Sequence, residues 1–307
     1  MLIELKKLFQ GDGLFGLLTK MFRNDQTTCP LPNAFNLSQA FFCFDAEGTL
    51  WEAGQAVPGC AEFLALVQRQ SWPYVVLTNT VSLTPEQLSR EWARQGLKVP
   101  PWRFVTPFDA LNRFLEQEYP AKTKANFRWV GSRRQARRLS RRSSLVKAQP
   151  YEKPPTWVVL GDLESFSWNL KFLNSLAKDL RRGARLATLS PSLFYRRGAE
   201  WRLDTGSFVR LFEPFLDVPP VILGKPNPLV IEAARHRLKV TGPVCVVGDD
   251  VATDIQLAHT VGAVSLLLRR GKYKPGDENR LAPTWCATTL EQAGQLLEHW
   301  WASQSES

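Results

Sequence analysis

Metal-binding cysteine and histidine patterns are what this chain most conspicuously lacks. Its five cysteines (Cys29, Cys43, Cys60, Cys245 and Cys286) are odd in number and none stands in CxxC spacing. That excludes a zinc ribbon and argues against a disulfide framework, and it leads us to expect a reducing, cytoplasmic compartment. The three histidines, His236, His259 and His299, show no ligand spacing and read as surface or helix residues. No stretch approaches the roughly 18 apolar residues of a transmembrane span. The N-terminal stretch is interrupted by Lys6, Lys7, Lys20 and Arg23, so it is not a signal peptide. Internal repeats and low-complexity tracts are absent as well.

What is present describes an ordinary soluble globular protein. With 307 residues, 44% apolar and 22% charged, the chain can form one large or two medium domains with ample core. Its formal charge of +10 is unevenly spread. Arg128, Arg133, Arg134, Arg137, Arg138, Arg141, Arg142 and Lys147 crowd one stretch. Nucleic-acid recognition would call for aromatics interleaved with these charges, and only Trp129 is there. The stretch reads as a solvated helix, with steering of anions as the second reading.

Chemistry concentrates at four places. Phe41-Phe42-Cys43-Phe44 is an apolar strand that ends in Asp45-Ala46-Glu47-Gly48-Thr49. Tyr74-Val75-Val76-Leu77 ends in Thr78-Asn79. Leu223-Gly224-Lys225-Pro226 holds a lone lysine between turn formers. Val244-Cys245-Val246-Val247-Gly248 ends in Asp249-Asp250, with Thr253-Asp254 just beyond. Ligands of open α/β sheets bind at the carboxyl ends of strands. A carboxylate nucleophile, a hydroxyl, a cation and a set of hard oxygens at such an edge suit phosphoryl transfer assisted by magnesium.

In this order the four segments resemble the motifs of the haloacid dehalogenase (HAD) superfamily. The match is closest to its small-molecule phosphatases with an inserted α/β cap of the C2 type, subfamily IIA, which resemble nitrophenyl and phosphoglycolate phosphatases. Val159-Leu160-Gly161-Asp162 and Phe194-Tyr195-Arg196-Arg197-Gly198 add to the likeness, which covers about Leu37 to Trp300. It implies a doubly wound, Rossmann-like parallel-sheet core with that cap. It also implies a Mg2+-dependent hydrolase acting on a small phosphorylated metabolite through an aspartyl-phosphate. Asp45 would be the nucleophile, Glu47 the acid/base, and Thr78 and Lys225 their catalytic partners. Gly48, Thr78, Asn79 and Lys225 would bind phosphate. Asp45, Asp249 and the Glu47 carbonyl would hold the metal, with Asp254 orienting that shell. Within the insert, Asp162, Arg196 and Arg197 are candidates to reach the substrate. The chain departs from the family at Glu47, where aspartate is usual. The extra methylene moves the carboxyl by about 1.5 Å, against a proton-transfer reach of about 2.6–3.2 Å, so slow turnover is expected.

The expected organisation is an N-terminal extension and linker over 1–36, a catalytic core over 37–118 and 221–302, an inserted cap over 119–220 and a polar tail over 303–307. The extension reads as a helix folded back on the core; a peripheral membrane or partner contact is the other reading. Its Gly11-Asp12-Gly13-Leu14-Phe15-Gly16 matches a dinucleotide fingerprint as a string, but no strand precedes it. Three function classes remain: the phosphatase, a catalytically weak HAD-fold binding or interaction protein, and more remotely a nucleic-acid binder using the basic cap. Homo-oligomerisation through the cap is a further expectation.

Overall fold

A computed structural model describes residues 40–119, 126–139, 144–145, 155–163, 168–197 and 200–305. The expectations for the N-terminal extension, including its glycine string, lie outside these residues, as do parts of the basic stretch.

Fifteen strands occur among the described residues. They are β1 (Phe41–Asp45), β2 (Trp51–Glu52), β3 (Gln55–Ala56), β4 (Tyr74–Leu77), β5 (Phe104–Val105), β6 (Asn126–Val130), β7 (Ser144–Leu145) and β8 (Trp157–Leu160), then β9 (Arg185–Thr188), β10 (Phe194–Arg197), β11 (Glu200–Leu203), β12 (Val221–Ile222), β13 (Val244–Gly248), β14 (Val264–Leu268) and β15 (Trp285–Ala287). Six form a parallel sheet in the order β15-β14-β13-β1-β4-β5. This is the doubly wound α/β architecture that the strand and helix alternation predicts.

The strands run apolar because both faces of the sheet are covered. Alternate residues point to opposite sides. Phe41, Cys43, Val75, Leu77, Val244 and Val246 pack under the helices Pro107–Glu118 and Leu229–Leu238. Phe42, Phe44, Tyr74, Val76, Cys245 and Val247 pack against the helices Cys60–Arg69, Pro85–Arg94 and Leu290–Ser305. The helix at Pro85 starts where the sequence says it should: Thr84 and Gln87 form a capping box ahead of a proline at the first turn.

A second parallel sheet has the order β12-β9-β8-β6-β7. Trp157 and Val159 of β8 join the cluster built on the helices Pro107–Glu118 and Leu229–Leu238, with Phe114 edge-on to Trp157 at 5.0 Å. Val158 and Leu160 face the other way, onto the helices Leu170–Arg181 and Thr205–Phe212. One helical layer is therefore sandwiched between the two sheets. Val221–Ile222, expected to open the return to the first sheet, is instead the edge strand of the second, paired with Ala187 and Thr188.

Arg128 corrects the reading of the basic stretch. Its place in a row of arginines predicts a solvated side chain, but it is buried on β6. It pairs with Asp179, donates to Ser175 Oγ at 2.6 Å and stacks over Phe172 at 5.0 Å. Its charge is used inside the protein. Arg133 and Arg134, on the helix Arg133–Leu139, are exposed as expected.

Candidate active site

The carboxyl end of β1 places Asp45 at the middle of the first sheet, between β4 and β13. The chain then turns through Gly48 at φ 94, a conformation that glycine adopts without penalty. Glycine is also required for space: a Cβ here would lie 2.1 Å from Asp249 Oδ2. Thr49, fully buried, donates its hydroxyl to Asp249 Oδ1 at 3.3 Å. The Glu47 carboxylate is exposed and accepts the Ala53 N–H at 3.2 Å from the β2–β3 hairpin. Protein atoms crowding it push its pKa up, the Ala53 N–H opposes this, and Asp45 and Glu52 add to the rise. Water can still reach the carboxylate.

At the end of β4, Thr78 is buried, and its Oγ1 accepts the Thr80 N–H at 3.0 Å. The hydroxyl proton is left to point elsewhere. Asn79 uses both ends of its amide on Lys225. Its Oδ1 accepts the Lys225 N–H at 2.8 Å and its Nδ2 donates to the Lys225 carbonyl at 3.0 Å. The sequence predicts a phosphate-binding role for Asn79; its observed work is to clamp the lysine backbone, with one amide proton to spare.

Lys225 is 3% exposed, and its ammonium pairs with Asp45 and, at 2.7 Å, with Asp254. Burial alone would drive the proton off, but Asp254 and Asp45 outweigh it and raise the pKa, so the lysine stays charged. Asp254 reaches this position because the chain after β13 makes one wide helical turn, Val251–Ile255. That turn folds Asp254 back against Gly248, where a Cβ would lie 2.2 Å from its Cγ. Asp254 also accepts the Asp250 N–H at 3.2 Å.

One carboxylate oxygen each from Asp45, Asp249 and Asp254 come within 4.8 Å of one another, all buried. Burial raises the Asp249 pKa well above its usual range, with Asp45 and Asp254 adding to the effect. Asp254 is pushed up to about 7 by burial, which Lys225 opposes and Asp45 and Asp250 reinforce. Like charges held this close call for a counter-charge. Asp45 Oδ2 is buried and has no hydrogen-bond partner, which is rare for so polar an atom. Hard oxygens around an orphaned carboxylate atom fit a divalent cation of the magnesium type.

A fifth segment escaped the sequence reading. After β14, the Lys272 N–H donates to Asp249 Oδ2 at 2.6 Å, and Gly271 lies so close that a Cβ would come 2.2 Å from the same oxygen. Arg270 pairs with Glu52 of the β2–β3 hairpin at 2.7 Å. The Lys272 ammonium reaches Asp250 at 3.2 Å. The available signal is Arg269-Arg270-Gly271-Lys272, a basic run with a glycine at a strand end. The three histidines stay away from the cluster's bonds; His259, for example, bonds the Ala282 carbonyl at 2.8 Å. The side chains of Arg196 and Arg197 lie outside the described set.

A buried carboxylate cluster at the centre of a doubly wound sheet, with a captive lysine, matches the family that the sequence pattern suggested. The chain belongs to the haloacid dehalogenase-like hydrolases. One family model, described as haloacid dehalogenase-like hydrolase, matches residues 42–140, and a second, HAD-hydrolase-like, matches 222–293. The chain is 27% identical over 244 residues to the ribonucleotide monophosphatase NagD of Escherichia coli K12, covering 78% of this chain and 92% of that protein. It is 26% identical over 257 residues to the dihydroxyacetone phosphatase of Corynebacterium glutamicum, covering 83% and 90%. The solved structure of NagD from E. coli K-12 superposes with a TM-score of 0.71 at 25% identity, over 81% of this chain and 96% of that one. A glycerol phosphate phosphatase of Mycobacterium tuberculosis, solved in complex with magnesium, gives a TM-score of 0.73 at 22% identity, over 84% and 78%, a likeness of fold. Among the described residues no helix is long and apolar enough to cross a membrane.

Proposed function

We propose that this protein is a magnesium-dependent phosphomonoesterase that hydrolyses a small phosphorylated metabolite through an aspartyl-phosphate on Asp45. The observation that carries this reading is the unpartnered Asp45 Oδ2, buried inside the carboxylate cluster beside Lys225. The named activities of relatives covered over most of their length agree with it.

Asp45 and Asp249, with the backbone carbonyl of Glu47, would hold the metal, and Asp254 would orient them through Lys225 and the Asp250 N–H. The bound ion would neutralise the cluster and draw charge from phosphoryl oxygens. The chain's own groups do the rest. One carboxylate oxygen of Asp45 attacks phosphorus, and the ester oxygen leaves, taking a proton from Glu47. The upward pKa shift at Glu47 favours the protonated form that this step needs. Thr78 donates its hydroxyl to a phosphoryl oxygen, and Lys225 balances the negative charge on Asp45. Water then attacks the acyl phosphate, Glu47 takes the proton, and free phosphate and Asp45 are released.

The tie from Glu47 to the Ala53 N–H holds the acid/base out on the hairpin, which supports slow turnover. The same tie favours, as the second reading, a catalytically weak relative that binds phosphate esters. A panel of phosphate esters assayed with magnesium, and again after chelation, separates these readings. The phosphatase reading expects metal-dependent phosphate release from at least activated esters such as 4-nitrophenyl phosphate. No release from any ester would hand the lead to the binding protein.

A further inference from the structure

The site has a second lysine whose surroundings differ from those of Lys225 in what they leave available. Lys225 is 3% exposed and its ammonium is committed to two buried carboxylates. The backbone of Lys272 is equally fixed, because its N–H holds Asp249 Oδ2 and Gly271 before it is packed within van der Waals reach of the Gly48 backbone. Its side chain, however, is 60% exposed. The ion pair with Asp250 Oδ2, at 3.2 Å, is of the solvent-exposed kind that contributes little and yields to a competitor. Asp250 has other work, since its Oδ1 accepts the Ala252 N–H at 2.9 Å and caps the turn.

The position of the ammonium is informative. Gly271 packs on Gly48, the neighbour of Glu47, and the Lys272 ammonium lies 3.2 Å from Asp250 Oδ2. Lys272 therefore stands at the exposed rim of the carboxylate cluster. A phosphoryl group seated on the buried Asp45, Thr78 and Lys225 would have to send its alcohol portion out of the cluster, over an exposed rim such as this one. A strongly hydrated, mobile cation on a fixed backbone suits recognition of a compact anion.

We infer that Lys272 is a specificity residue: its ammonium receives an anionic group, a carboxylate or a second phosphate, carried by the alcohol portion of the ester. Esters with a second anion are then preferred over esters of neutral alcohols. The inference rests on the phosphatase reading of the same site. Replacing the side chain leaves the backbone N–H to Asp249 in place, so the cluster is not dismantled by the test.

The experiment compares the affinity of 2-phosphoglycolate with that of ethyl phosphate, by calorimetry with magnesium. It uses Asp45→Asn protein, so that the esters stay intact, with Lys272, Lys272→Ala or Lys272→Arg in that background. The expected result is a preference for 2-phosphoglycolate that falls at least about tenfold in Lys272→Ala and is retained in Lys272→Arg. The inference is overturned if the Lys272 form shows no preference. It is overturned equally if the preference survives in Lys272→Ala, or is lost to the same extent in Lys272→Arg. Turnover of both esters by protein with Asp45 intact is read alongside. Preference without turnover removes the phosphatase reading and keeps the lysine's role, and turnover without preference does the reverse.

Discussion

The two parallel sheets are built alike, yet among the described residues only the first ends in a buried carboxylate cluster. At the carboxyl edge of the first, Asp45, Asp249 and Asp254 gather with their charges incompletely answered, and Asp45 Oδ2 has no partner at all. Among the described residues at the corresponding edge of the second, polar groups bond one another. Thr188 and Thr205 both donate to the Ser190 carbonyl at 2.9 Å, and the glycines there make room for an indole. A Cβ at Gly161 would lie 2.2 Å from Trp129 Cη2, and one at Gly131 would lie 3.0 Å from its Cζ2. The glycines of the first edge make room for carboxylates instead. Architecture alone therefore does not make a site; the residues that end the strands do, by leaving buried polar atoms unsatisfied or by closing them off.

This contrast can be broken at either sheet. The largest effect is expected in the second, at the buried pair of Arg128 and Asp179. Arg128→Ala strands a buried carboxylate and should destabilise the protein by about 3–5 kcal/mol. Chemical denaturation measures this, and a change near zero would mean that the pair is not buried in solution. Next comes Gly248→Ala in the first sheet, whose methyl would displace Asp254. It should weaken magnesium binding by about 10–100-fold, the scale seen when groups behind metal ligands are disturbed. Calorimetric titration of the metal reads it, with thermal unfolding as the control. Gly161→Ala, the matching change in the second sheet, should instead lower stability by about 1–3 kcal/mol through overpacking on Trp129. Its metal affinity should stay unchanged; a loss there would erase the distinction between the two edges.

The smallest effect is expected at Glu47. Glu47→Asp cannot span to the Ala53 N–H as the longer side chain does, so it should free the acid/base from the hairpin and raise turnover by up to about tenfold. Steady-state rates on an alkyl phosphate test this. A fall would show that the site is built around glutamate.

The parts of this arrangement that are legible in the sequence are those with a one-dimensional signature. β1, β4 and β13 are buried on both faces, so they read as unbroken apolar runs, and the polar residues at their carboxyl ends make up most of the site. Arg128 misleads because a buried arginine and a solvated one look alike in a row of arginines; only Asp179, 51 positions away, distinguishes them. Asn79 is only half legible, for a related reason. An amide after a strand signals a polar partner but not which one, and here it is the backbone of Lys225, brought near by the fold. Val221–Ile222 is too short a run to declare its sheet. Lys272 escapes notice because a lysine in a turn-rich segment has no periodicity to mark it, and its contact with Asp249 is made through the backbone, which every residue carries.

The central claim is that Asp45 is a nucleophile within a metal-dependent phosphatase site. It is tested most directly by 4-nitrophenyl phosphate hydrolysis in wild type and Asp45→Asn, each with and without magnesium. The account predicts magnesium-dependent release of nitrophenol by the wild type and only background from Asp45→Asn, with both proteins equally folded. Hydrolysis that survives in Asp45→Asn would contradict it.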